Sequence, residues 1–238
     1  MPRGPLLFFP FVIVAALGLL FLLLFLFILI QVGLITVAFS KLGLTTGQAF
    51  LVLLATLLGS GVNLPVHRSR RLVKVPPDFG SSAPALRRRY RPFPDPWAGE
   101  ELREQIVAVN VGGCLVPCLL SLYFLSQTGL SAGLLLALAA VTFACHQLAR
   151  PVPGVGIAIP VLLPPLVAAA SALLLAPPGQ SAHVAYVSGS LGTLLGADVL
   201  RLVRAGPGDF PDAPVLSIGG AGTFDGVFLT GVIAVLLA

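Results

Sequence analysis

Charge is scarce in this chain. Lys, Arg, Asp and Glu make up 10% of its 238 residues, against roughly 25% in soluble globular domains. That deficit excludes an ordinary water-soluble surface. Cysteine is scarce as well. The three present, Cys114, Cys118 and Cys145, all lie inside apolar segments. They build no disulfide framework and read as small buried hydrophobes. No P-loop, dinucleotide fingerprint or His-Glu-x-x-His sequence occurs, and the lone "GGAG" near the C-terminus is not a phosphate loop by itself. Neither a cofactor nor a metal is expected.

What is present is apolar sequence: 57% of the residues are hydrophobic and mean hydropathy is +1.01. Several uninterrupted runs reach about the 20 residues that cross a bilayer as a helix. The expected fold is all-α, a polytopic transmembrane bundle of about seven helices over 6–31, 46–65, 105–125, 131–149, 154–176, 183–203 and 215–238. The first run is much longer than the usual ~7–15-residue core of a signal peptide and closes on no small-residue cleavage site. It reads as a retained first helix, extended or kinked beyond one crossing. Three regions follow: an N-terminal transmembrane hairpin (1–66), a basic cytoplasmic loop (67–104) and a five-helix transmembrane region (105–238).

The 67–104 segment is the one long polar stretch, and it carries nine of the 14 basic residues. Beside a bilayer, such clustering marks a cytoplasmic loop attracted by anionic lipid, and no nucleic-acid partner is expected. Within the loop, "PPDFGSSAPA" and "RPFPDPW" look flexible, and "AGEELREQ" looks like an interfacial lead-in to the third helix. With the loop inside, Arg3, Arg150, Arg201 and Arg204 also fall inside and Lys41 alone falls outside. The N-terminus is then cytoplasmic.

Of nine acidic residues, only Asp198 and Asp225 fall within the expected spans. A carboxylate at membrane depth costs at least ~2.5–3.5 kcal/mol on insertion scales, so it marks a functional site by default. Asp198 lies near the inner end of helix six, in "GTLLGADVLRLV". Asp225 lies in helix seven, in "SIGGAGTFDGVFLTG". Asn63, Asn110 and His146 fall at similar depth on three further helices. They border one inner-side hydrated cavity, or else they glue helices and cap their ends. Gly219, Gly220, Gly222 and Gly226 permit close backbone approach and let helix seven open beside Asp225. Pro164 and Pro165 in helix five remove backbone donors; they either leave carbonyls for a ligand or simply kink the helix.

At "SGSLGTLLGADVL" and "SIGGAGTFDGVFLTGVIAVLL" the chain resembles an uncharacterised prokaryotic membrane protein family, domain of unknown function 1614, most strongly over the last 60 or so residues. That resemblance implies no activity. A more distant, architectural similarity is to presenilin-like and signal-peptide-peptidase-like proteases, which carry aspartates on two adjacent helices. Asp198 matches their first aspartate in place. Asp225 differs from their Gly-x-Gly-Asp pattern, because Thr223 and Phe224 separate it from Gly222. Their Pro-Ala-Leu motif follows the aspartates, whereas "PPL" at Pro164–Leu166 precedes them here.

The expected function is an intramembrane aspartyl protease. Two carboxylates in one low-dielectric pocket share a proton, so one activates water while the other polarises a peptide carbonyl. The substrate is a membrane-spanning segment of another protein. Two other classes remain open. One is a proton- or cation-coupled transporter with the same aspartates as its coupling site. The other is a non-catalytic scaffold.

Overall fold

The computed structural model describes residues 9–75, 101–152, 156–204, 215–220 and 226–238. Among these the chain is mostly helical, with seven helices. Helix α1 is Phe9–Lys41, α2 Thr46–Ser60, α3 Val111–Thr128, α4 Ala132–Leu148 and α5 Leu163–Leu175. Helix α6 is continuous through three parts: α-helical Ser181–Thr193, π-helical Leu194–Val199 and α-helical Leu200–Arg204. Helix α7 is Gly226–Leu237.

Helix ends are closed by local chemistry. Thr45 and Gln48 form a capping box before α2: Gln48 N donates to Thr45 Oγ1 (3.3 Å) and Thr45 N donates to Gln48 Oε1 (2.9 Å), so each satisfies an orphan donor. Lys41 Nζ donates to the carbonyls of Val235 (3.3 Å) and Leu236 (3.1 Å). These belong to the last turn of α7, which has no intrahelical donors and carries the negative end of the helix dipole.

The core brings all the helices onto a few large side chains. Phe39, Phe124, Tyr186, Phe228, Val141 and Val235 are fully buried. Phe124 meets Tyr186 edge-on with ring centroids 5.4 Å apart, and Phe39 packs on Phe228 at 6.4 Å. Among the described side chains, helix α1 joins this core near its C-terminal end, through Ile35, Ala38 and Phe39. Upstream, large apolar side chains such as Phe21, Phe25 and Ile30 are exposed, as are Leu119 on α3, Phe143 on α4 and Leu174 on α5. Two segments, Ala16–Lys41 and Val111–Thr128, are long and apolar enough to cross a membrane, whereas α2, α4, α5 and α7 are apolar but shorter.

The all-helical expectation is corrected by five strands among the described residues: β1 (Asn63–Val75), β2 (Glu101–Asn110), β3 (Arg150–Val152), β4 (Gly156–Ala158) and β5 (Val215–Ile218). A three-stranded sheet has the order β1-β2-β5, with β2 antiparallel to β1 and parallel to β5. Strands β3 and β4 form a short hairpin. The third helix therefore starts at Val111 rather than 105, and "ELREQ" is strand rather than an interfacial lead-in. The seventh helix starts at Gly226 rather than 215. These two departures have one cause, because Ile106–Val109 pair with Val215–Ile218. Apolar β-branched residues suit a strand as well as a buried helix, and in a chain without amphipathic contrast the sequence period does not separate them.

The described parts of the 67–104 segment are strand rather than loop. They belong to β1 and β2, and the "PPDFGSSAPA" and "RPFPDPW" stretches lie outside the described residues. Helix five starts at Leu163 rather than 154. Pro164 and Pro165 are buried in its first turn, where a missing N–H breaks no intrahelical bond. They start the helix rather than kink it.

Candidate functional site

The sheet meets the bundle at a polar junction built around Asn110. This residue ends β2 and caps α3, and its side chain is fully buried. Asn110 Oδ1 accepts from Gly113 N (2.7 Å), while Asn110 Nδ2 donates to the Ser60 carbonyl (2.8 Å) and to Asn63 Oδ1 (3.1 Å). One amide thus joins the end of α2, the start of β1 and the start of α3. Asn63 Oδ1 also accepts from Ser217 Oγ (2.6 Å) on β5. The side chains of β1, β2 and β5 are linked here beyond their backbone ladder.

Asp198 is reached through the next turn of chain. After β5, Gly219 and Gly220 both have positive φ, +84° and +77°, a conformation that L side chains avoid. The turn brings Gly219 N to 2.7 Å from Asp198 Oδ2, to which it donates. A Cβ on Gly219 would sit 2.6 Å from Cys114 N, and one on Gly113 would overlap the Gly219 carbonyl oxygen. The loop therefore packs backbone to backbone against the first turn of α3. Asp198 itself is partly buried and lies in the π-helical part of α6. Single π-turns inside helices recur at functional sites.

Asn63, Asn110, Gly219 and Asp198 are thus brought to one junction. Asp225 and Gly222 lie outside the described residues. Gly226 opens α7, where a Cβ would make ordinary contact with Ile159 at 3.5 Å. His146 lines a different space, a groove between α4 and α6 that it shares with Leu135, Phe143, Leu195 and Arg204. Arg201, a potential partner for Asp198 by helical spacing, donates through its guanidinium to the Ala149 carbonyl. Pro164 and Pro165 serve the start of α5, as described above.

Sequence reasoning missed Ser60, Gly113 and Ser217. Their signals are weak individually: a Gly-Gly pair directly after Val111 and a Ser-x-Gly-Gly turn at Ser217–Gly220. Such Gly pairs punctuate turns and close approaches, and here the two pairs meet each other.

The family described as "Protein of unknown function (DUF1614)" matches residues 57–237. The chain belongs to this family. The match covers the sheet, the Asn110 junction, Asp198 and α7, and begins after most of α2. No curated protein and no solved structure matches the chain. The likeness to presenilin-like proteases gains no support from these comparisons.

The Asn110 junction carries a stability prediction. Replacing Asn110 by Ala leaves Gly113 N and the Ser60 carbonyl without their partner in a buried setting, while Asn63 Oδ1 keeps Ser217 Oγ as a donor. Each unsatisfied group costs ~1–3 kcal/mol, so a total loss of about 2–6 kcal/mol is expected for the two. Thermal unfolding of the purified chain in detergent reads it. An unchanged midpoint would show that the junction is not a structural keystone.

Proposed function

We propose that this DUF1614 protein is a multi-pass membrane protein acting as an intramembrane aspartyl protease, with Asp198 and Asp225 as its catalytic pair. The observation that carries this reading is the path of the chain at Asp198. Strand β5, at the sheet edge among the described residues, runs directly into Gly219, whose N–H donates to the Asp198 carboxylate. An extended peptide that adds to a sheet edge is held by main-chain hydrogen bonds. A substrate segment laid along β5 is led to Asp198.

The register of α6 against α7 supports the pairing with Asp225. Gly189 faces Thr230, and Gly231 faces Tyr186 and Ser190, so the helices are antiparallel and Gly226 falls level with about Thr193. Asp198 is five residues farther along α6, about 7 Å at 1.5 Å per residue. Gly219 therefore lies at the level of Asp198, and Gly226, the residue after Asp225 in sequence, lies about 7 Å from that level along the helix axis.

In the reaction, the ionised aspartate removes a proton from a bound water. The resulting hydroxide oxygen bonds to the peptide carbon, and the protonated aspartate hydrogen-bonds the developing oxyanion. The C–N bond then breaks, and the amine leaves with a proton from the carboxyl pair. The test is hydrolysis of a transmembrane peptide by the purified full chain, with and without a transition-state-mimicking aspartyl protease inhibitor.

The membrane part of the proposal rests on the apolar side chains exposed on successive helices and on the distribution of Lys and Arg, with the N-terminus and the 67–104 loop cytoplasmic. In a chain lacking its native cysteines, Gln127→Cys at the end of α3 is expected to react with a membrane-impermeant maleimide added to intact cells. Ser81→Cys in the loop is expected to react only after permeabilisation. Labelling of Ser81→Cys in intact cells would reverse the orientation.

A further inference from the structure

A groove on the outer flank of the bundle is unrelated to the aspartates. Along α4, Leu135, Ala139, Thr142, Phe143 and His146 share one face, as residues spaced by three and four do on a helix. Leu195, Leu200 and Arg204 of α6 form the opposite wall. The space between them is about 390 Å³. From Leu135 to His146 it is about 16 Å long at 1.5 Å per residue, close to the depth of one leaflet of a ~30 Å hydrocarbon core.

The groove is polarised. Its length is apolar except for Thr142, while His146 and Arg204 lie together at the C-terminal ends of α4 and α6. Among the described residues, no acidic side chain lines it. His146 Nδ1 is buried and has no hydrogen-bond partner among the described residues. That nitrogen is closed to the groove, so the imidazole contributes its position beside Arg204 rather than Nδ1 as a ligand contact. Arg204 supplies a charged donor set suited to phosphate.

We propose that this groove binds an anionic phospholipid of the inner leaflet. One acyl chain lies along the α4 face, and the phosphate is held by Arg204, beside His146. Basic pockets between membrane helices on the cytoplasmic side are suited to such headgroups, and the chain length and charge arrangement here match one lipid rather than a soluble anion. The inference rests on the membrane reading above and not on the protease.

The test uses the full chain in phosphatidylcholine vesicles containing phosphatidylglycerol and a trace of phosphatidylglycerol with a photoreactive acyl chain. Labelled peptides are mapped by mass spectrometry. Label is expected to concentrate on residues 135–146 and 195–200, and to be displaced by unlabelled phosphatidylglycerol but not by added phosphatidylcholine. Arg204→Gln is expected to lower labelling of α4 about fivefold, the effect of one basic residue at the surface. Ala139→Trp, which fills the groove without touching its charged end, is expected to abolish it while leaving label on α3 unchanged. An inserted chain labelled evenly over its lipid-facing helices, or equally displaced by phosphatidylcholine, would overturn the site alone. A chain that does not insert into vesicles would overturn the membrane reading as well.

Discussion

Replacing either Asp198 or Asp225 by Asn is expected to lower hydrolysis of a transmembrane peptide by at least about a thousandfold, within the range by which a positioned general acid or base contributes. The variants are also expected to stay folded. In Asp198→Asn the side-chain amide oxygen remains an acceptor for Gly219 N, which in the native protein lies 2.7 Å from Asp198 Oδ2. The amide simply does not exchange a proton. Asp198→Ala separates the two roles, because it also removes the acceptor. It is expected to lose activity and, in addition, about 1–3 kcal/mol of stability from the unpaired Gly219 N–H. Full proteolysis by both Asn variants would sink the pair. Solute uptake that needs both aspartates, in the absence of any cleavage, would assign the carboxylates to a transporter instead.

How much of this was legible in the sequence depends on where polarity breaks the apolar background. Asp198, Asn63 and Asn110 stood out as polar groups among hydrophobes, and the structure brings them to one junction with Gly219. The seven helices were legible as apolar runs, because helix-length runs and their Gly and Pro boundaries survive without any periodicity. The sheet was not. "QIVAVN" and "VLSI" are rich in apolar, β-branched residues, and "QIVAVN" runs directly into the helix that starts at Val111. In a soluble protein the alternation of a half-buried strand would have marked them. Here Ile106 and Val107 on opposite faces of β2 are both apolar, so the period-2 signal is absent. Their pairing is also non-local: Ile106 meets Val215, and no local propensity encodes a contact across that separation. His146 shows the opposite limit. Depth alone placed it with the aspartates, but depth carries no azimuth. Its helical face, shared with Leu135 and Phe143, turns it to the outer groove.

The junction also makes a strong prediction for the backbone. Gly219→Ala is expected to destabilise the protein by more than about 4 kcal/mol, a loss reserved for a few named mechanisms. Two of them combine here. The φ of +84° costs an L residue about 1–2 kcal/mol. The added methyl also meets Cys114 N and the Gly113 carbonyl carbon at 2.6 Å, and both are backbone atoms with no rotamer to change. Gly113→Ala meets the same contact from the other side, through the Gly219 carbonyl. Gly43→Ala isolates the conformational part. Its φ is +74°, yet nothing lies within 4 Å of the new methyl, so only about 1 kcal/mol is expected. Unfolding midpoints of the three variants in one detergent measure the difference. If Gly219→Ala is no worse than Gly43→Ala, the loop does not pack against α3 as described. Asp198 would then lose the backbone donor that fixes its carboxylate.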